Sequence, residues 1–233
     1  MLRRITSPFR EFGLFAGLLY SVDRLLVRIS PLVRLYFYEL MVQPIGTKQL
    51  LPSRLTSRLQ WREIRRGDPE IELMPARPEI KQSRFDQNAV CIGAFLDGQL
   101  IGYLWLCFKA YEEDEVRCTY LTTPAELAVF DFDLYVLPEH RMGLGFLGVW
   151  SGVSEFLKSR GVKYTFSRLT RFNVASRRAH EHLGWKRVGR VMFIRIGAAE
   201  LMVGSVFPYL HLSVAQDNRV KLMLKPEILL DTR

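Results

Sequence analysis

Two carboxylates and a phenol alternate along an apolar stretch, Val129-Phe130-Asp131-Phe132-Asp133-Leu134-Tyr135-Val136. Ideal alternation puts Phe130, Phe132, Leu134 and Val136 on one side and Asp131, Asp133 and Tyr135 on the other. A carboxylate in such a strand is costly unless it is paired or used. Either Asp131 or Asp133 can serve as a base toward an attacking nucleophile, directly or through a water, or can pair with an arginine. The strand runs into Pro138-Glu139-His140-Arg141-Met142-Gly143-Leu144-Gly145, and a helix follows. Amide groups at a helix start, with glycines that allow close approach, can hold a phosphate, although a tight turn needs the same residues. A third element, Asn173-Val174-Ala175-Ser176-Arg177-Arg178-Ala179-His180-Glu181-His182-Leu183-Gly184-Trp185, begins on an N-cap residue and ends on a glycine.

The elements that would position these groups can be read from the pattern. Leu59–Arg65 reads as a strand, Gly67-Asp68-Pro69 as a turn, and residues 75–85 as a broken helical stretch. Ala89–Leu96 and Gln99–Phe108 form a hairpin about Asp97-Gly98. A short strand is expected near residues 116–121. The best strand spans 127–137, followed by a helix at 146–159, a strand at 162–168, a helix at 174–183 and a strand at 188–196. Residues 208–212 can add one more strand. Before them, Phe12, Phe15, Leu18, Leu19, Val22, Leu25, Leu26 and Ile29 recur at helical spacing. Pro31 can open a second helix with Leu32, Leu35, Tyr36 and Leu40 on one side. The expected organisation is therefore an amphipathic helical extension over 1–58 and a mixed α/β domain over 59–233.

The loop at 138–145 and the Asn173–Trp185 element together resemble the GNAT superfamily of N-acyltransferases, over about residues 60–200. In that family a strand ending near a proline leads into a Q/R-x-x-G-x-G/A loop, and a later helix carries an N-x-x-[AS] pattern ending in Leu-Gly-aromatic. Asn173, Ser176, Leu183, Gly184 and Trp185 fall at those spacings. The loop is one residue short. Counted from Pro138 the basic position is Arg141, and counted back from Gly143 and Gly145 it is His140. The tyrosine that often protonates the leaving thiolate in the family falls on His180, which can donate a proton or simply pack.

The resemblance implies an α+β fold, a mixed and mostly antiparallel twisted sheet flanked by helices. It implies acyl transfer from a thioester to a primary amine by direct attack, with Asp131, Asp133 and His180 as catalytic candidates. Donor contacts fall on Val136, His140, Arg141, Gly143, Leu144, Gly145, Asn173 and Ser176. The donor is acyl-CoA or an acyl carrier protein, and no metal is implied. An amphipathic extension on such a domain allows a long acyl chain or an acceptor at the membrane. A module that binds acyl-CoA without catalysis is the alternative.

Composition sets the outer bounds. The chain has 233 residues, 48% hydrophobic and 24% charged, which suits a globular domain. The net charge is +9, with 25 arginines against 8 lysines. Six arginines and three acids lie in residues 1–45, so this segment can lie on an anionic membrane, pack on the domain or join two copies. No zinc-finger, recognition-helix or RNA-binding signature supports nucleic-acid binding. Three cysteines without C-x-x-C spacing exclude a disulfide framework and fit small buried hydrophobes in a reducing cytoplasm. Arg3, Arg4 and Arg10 precede the uncharged run Phe12–Val22, but Glu11, Asp23 and the lack of a small-x-small site argue for its retention. This points to the cytoplasm, with the inner membrane face as the alternative. Between Arg160 and Arg195 ten basic residues meet one acid, and between Glu112 and Glu139 eight acids meet one arginine. A basic side for donor phosphates and an acidic side for a cationic amine would follow.

Overall fold

The computed structural model describes residues 17, 21, 22, 24, 25, 28, 30, 32–46, 50–141 and 145–230. Their contacts fall into two compact units. A middle unit comprises Gln43–Tyr111 and Leu121–Ser167. A terminal unit comprises the chain up to Val42, Glu112–Tyr120 and the chain from Arg168 onward. Mixed, mostly antiparallel pairing with a few helices runs through both, as the α+β expectation requires.

In the middle unit, β2 (Leu59–Ile64), β3 (Val90–Leu96) and β4 (Gln99–Phe108) form an antiparallel meander. Asp97 and Gly98 close its hairpin at φ 50° and 83°, the conformation a two-residue turn demands. β4 pairs antiparallel with β7 (Ala128–Val136), and β7 pairs parallel with β8 (Tyr164–Thr170) over Ala128–Phe130. A short α1 (Ser53–Thr56) precedes β2. α2 (Pro78–Asp86) lies on one face of this sheet, its Phe85 ring edge-on to Trp105 at 4.9 Å. On the other face lies α3 (Gly145–Ser159), whose Val149 is what a side chain at Gly102 would meet. Ile64, Tyr103, Leu104, Trp105, Leu106, Phe130, Val149, Trp150, Val153 and Leu157 are all fully buried. Gly148 and Gly152 let α3 approach β2, where the Trp61 Nε1–H donates to the Gly148 carbonyl at 2.7 Å.

In the terminal unit, β1 (Val33–Pro44) pairs antiparallel with β9 (Lys186–Ile196), β9 with β10 (Ala199–Gly204), and β10 with β11 (Leu210–Ser213). Short β6 (Cys118–Thr122) and β12 (Val220–Leu224) pair in a further sheet, and β5 (Ala110–Glu112) falls where the middle unit gives way to the terminal one. α4 (Val174–Glu181) and α5 (Glu227–Leu230) complete the unit.

The second helix expected after Pro31 is instead strand β1. The segment has apolar residues at both odd and even positions and three aromatics in a row, so helical spacing is satisfied by accident. Pairing with β9 and burial of Phe37, Tyr38, Leu40, Met41 and Val42 decide for the strand. Residues 33–44 are thus not part of a helical extension. Of the preceding helix expected at Phe12–Ile29, most lies outside the described residues. Gly17, Ser21, Val22, Arg24, Leu25 and Arg28 are helical, with Val22 and Leu25 exposed. No helix among the described residues is long and apolar enough to cross a membrane.

Candidate active site

β7 does not keep the alternation its sequence suggests. Trp105 faces Phe132 and Tyr103 faces Tyr135, so Asp133 and Leu134 together oppose Leu104. This is a β-bulge, and Asp133 takes φ 48°, a left-handed conformation that a non-glycine residue occupies at a cost. The bulge corrects the expected grouping. Phe132 and Tyr135 share one face, and Tyr135 stacks on Tyr103 with centroids 5.6 Å apart. Asp131 stays on the opposite face, that of Leu106, Val136 and α3. Asp131 and Tyr135 therefore do not share a surface.

The two aspartates part as well. Asp133 forms an ion pair with Arg84 of α2, whose guanidinium is buried over the rings of Trp105 and Phe132. The pair holds the bulge against α2. Asp131 is buried at 3% exposure, and its Oδ2 has no hydrogen-bond partner. Burial pushes its carboxyl up to about 7, against the smaller opposing pull of the Thr165 and Ser167 hydroxyls on β8. Such a group is half-ionised at neutral pH, the condition for taking up a proton and giving it back.

Beyond Val136 the chain folds tightly. A 3-10 turn spans Pro138–His140, and the Arg141 Nε–H returns to the Val136 carbonyl at 3.0 Å. The Arg141 guanidinium lies 5.3 Å from the Tyr135 ring centroid. Gly145 opens α3, and a side chain there would collide with Val136 and the His140 carbonyl. Val136, His140, Arg141 and Gly145 are thus drawn together at the start of a 15-residue helix. Gly143 and Leu144 lie outside the described residues.

Asn173, Ser176 and His180 belong to the terminal unit. The Asn173 side chain caps α4, accepting the Ser176 N–H at 3.0 Å, so this pair performs the capping its residue types suggest. His180 is buried, and burial holds its imidazole down at about 4. It is neutral at physiological pH.

The opposite-charge segments of the sequence do not form separate surfaces within the terminal unit. Arg168 bridges Glu113 at 2.7 Å and Glu115 at 2.6 Å, and Arg219 reaches Glu112 at 3.6 Å. The Glu200 carboxylate receives Arg195 at 2.5 Å and the Arg117 amide at 2.6 Å. The fully buried Glu39 gathers Arg171, Arg177, Arg187 and Arg190. Burial pushes Glu39 up, but Arg177 and Arg171 outweigh it and hold the carboxyl below its ordinary value.

Sequence reading missed Arg84 and Tyr103, because their relation to β7 rests on contacts across some thirty to fifty residues of chain. The bulge left one trace, a pair of aspartates interrupting an apolar strand. Cys91, Cys107 and Cys118 are buried and form no disulfide with one another, and burial pushes the thiols of Cys91 and Cys118 well up. Among the described residues no group of His, Cys, Asp and Glu could hold a metal.

The model of the Acetyltransferase (GNAT) family matches residues 58–185, more than half of the chain. No curated protein sequence matches. Similar solved structures include a functionally unknown conserved protein from Staphylococcus epidermidis, at 14% identity and TM-score 0.47 over 75% of this chain and 68% of that one. A tandem GNAT protein from the clavulanic acid biosynthesis pathway shares 16% identity at TM-score 0.47, over 69% of this chain and 53% of that one. A putative GNAT acetyltransferase from Novosphingobium aromaticivorans shares 14% at TM-score 0.43, over 70% and 66%. The chain thus spans between about half and two thirds of the length of these proteins. By the family match over β2 through α4, this chain belongs to the GNAT acetyltransferase family.

Proposed function

We propose that the protein transfers an acyl group from acyl-CoA to a primary amine. The observation that carries this reading is the interrupted end of β7. There a bulge frees backbone polar groups from the ladder, two residues from a carboxylate poised near neutrality.

In the proposed step the amine nitrogen attacks the thioester carbonyl carbon. A C–N bond forms, the C–S bond breaks and the sulfur leaves as thiolate. Backbone amides at the bulge, where the ladder is interrupted, polarise the carbonyl oxygen, as an oxyanion site does. Asp131 accepts the amine proton, directly or through a water, and the thiolate takes up a proton from solvent. Asp133 and Arg84 fix the bulge and act as positioning residues. The start of α3, with His140, Arg141, Gly143, Leu144 and Gly145, receives the donor's phosphates, and Val136 lines the path of its thiol arm. His180, buried and neutral, serves packing better than proton donation, and Asn173 with Ser176 serves the cap of α4.

Calorimetric titration with CoA, acetyl-CoA, a long-chain acyl-CoA and an acyl-loaded carrier protein tests the donor. Binding of CoA and acetyl-CoA with similar affinity is expected. Preference for the long chain or the carrier protein would assign a lipid-like donor instead, and binding of none would overturn the reading. For the base, Asp131→Asn should lower kcat roughly a hundred- to ten-thousand-fold with donor Kd nearly unchanged. An equal loss in Asp133→Asn with Asp131→Asn active would move the base to Asp133. Gly143→Trp should instead weaken donor binding.

A further inference from the structure

β9, β10 and β11 present two unlike faces. One is closed: Val191, Phe193, Glu200, Met202 and Ser213 are each 1% exposed. On the other, the register sets Leu212 beside Leu201 and Ile194, and Leu210 beside Val203 and Met192, with Ile196 at the end of the row. Ile196, Leu210 and Leu212 are each more than half exposed and Val203 is 39% exposed. Phe207, Tyr209 and Val214, next to β11 in sequence, are also exposed. No charged residue occurs from Val206 to Ala215, in a chain that is 24% charged.

The strand edge is open too. β11 has β10 as its one sheet neighbour among the described residues. The Gly204 N–H donates to the Tyr209 carbonyl. Antiparallel alternation then aims the backbone groups of His211 at β10 and those of Leu210 and Leu212 away from it. Asn218 Nδ2 reaches the Leu212 carbonyl at 3.5 Å. The Leu210 N–H and C=O and the Leu212 N–H point outward. β2, the edge strand of the middle unit, carries Arg62 and Glu63, charges of the kind that keep an edge from pairing. β11 carries none.

We propose that this edge and its apolar face form a symmetric dimer, with β11 of one protomer antiparallel to β11 of its partner. A second copy supplies what the surface lacks: backbone partners for the outward groups and apolar side chains for Leu210 and Leu212. It also meets a stretch free of charge, so two copies of a +9 chain can approach there without repulsion. A bilayer satisfies only half of this, since hydrocarbon offers nothing to the outward amides.

Sedimentation velocity and light scattering on the full chain should give twice its 27.1 kDa mass, falling toward one mass on dilution. Leu210→Lys with Leu212→Lys should leave the monomer at every concentration with an unchanged circular dichroism spectrum. Leu210→Cys combined with Leu212→Cys should crosslink one chain to its partner under mild oxidation, whichever of the two faces the other copy, and Gln60→Cys on β2 should not. Should the lysine variant misfold, these crosslinks decide alone. A monomeric wild type at all concentrations overturns the proposal. So does a dimer that survives both lysines, or a monomer that sediments with anionic phosphatidylserine vesicles through these residues.

Discussion

The middle and terminal units are stabilised by different physics. The middle unit closes over large apolar side chains, Tyr103, Trp105, Phe130 and Trp150, and among its few buried ionisable groups is one carboxylate, Asp131, with an orphaned oxygen. The terminal unit buries carboxylates throughout, at Glu39, Glu113 and Glu200, and surrounds each with arginine. Among the described residues, every exposed large apolar side chain but Leu73 belongs to it. The lesson is that a buried charge means opposite things in the two places. In the terminal unit it is paired with cations, and removing it leaves them unbalanced. In the middle unit Asp131 has hydroxyl neighbours but, among the described residues, no cation beside it to offset its burial, and removing its charge relieves that cost.

The sharpest way to break this contrast is Glu39→Gln. Four guanidinium groups would then face a neutral amide, and loss of one partner of a buried ion cluster costs about 3–5 kcal/mol. A large fall in melting temperature is expected, partly recovered at high sulfate. A variant as stable as wild type would mean the arginines are held by something other than Glu39.

A second test uses pH, because Asp131 and His180 pull in opposite directions. Between pH about 4 and 7 the folded chain keeps a proton on Asp131 that the unfolded chain has lost. That group makes stability fall as pH rises. His180, held down at about 4 from 6.5, lacks a proton in the folded state that the unfolded chain binds over this interval. That group makes stability rise with pH. In wild type the two slopes offset each other. Asp131→Asn should expose the rising slope and gain up to a few kcal/mol above pH 7, and His180→Asn should expose the falling one. Melting temperatures across this range check both. An Asp131→Asn variant less stable than wild type at pH 8 would make the carboxylate structural.

The smallest expected effect probes the packing of the middle unit. A methyl at Gly152 would strike the indole of Trp61 and disturb its hydrogen bond to Gly148. Overpacking of this kind costs about 1–3 kcal/mol. Denaturation of Gly152→Ala, followed by tryptophan fluorescence, should show the loss with the enzyme still binding its donor.

Much of the middle unit was legible in the sequence. The β3–β4 hairpin follows from Asp97-Gly98, and α3 follows from Phe146, Val149, Trp150, Val153 and Leu157 on one side. The Asn173 cap was legible because a cap is a local bond. β10, β12 and the identity of β1 were not. Their segments are short or apolar on both sides, so local pattern does not separate strand from helix or loop, and only a pairing partner does.

The same division holds for the site. Residue types along the chain determined that β7 carries carboxylates, that a glycine-bearing turn follows it, and that a helix starts beyond. Those are short-range facts, set by turn chemistry, periodicity and capping. Tertiary structure alone decided that Asp133 turns to Arg84 and that Asp131 faces the other way. It also decided that Arg168 of the basic segment pairs with Glu113 and Glu115 of the acidic one, while Arg171, Arg177, Arg187 and Arg190 gather on Glu39, outside both. A one-residue bulge reverses the side on which every later residue of a strand points, and Coulomb attraction acts between groups far apart in sequence. Neither leaves a mark on local pattern.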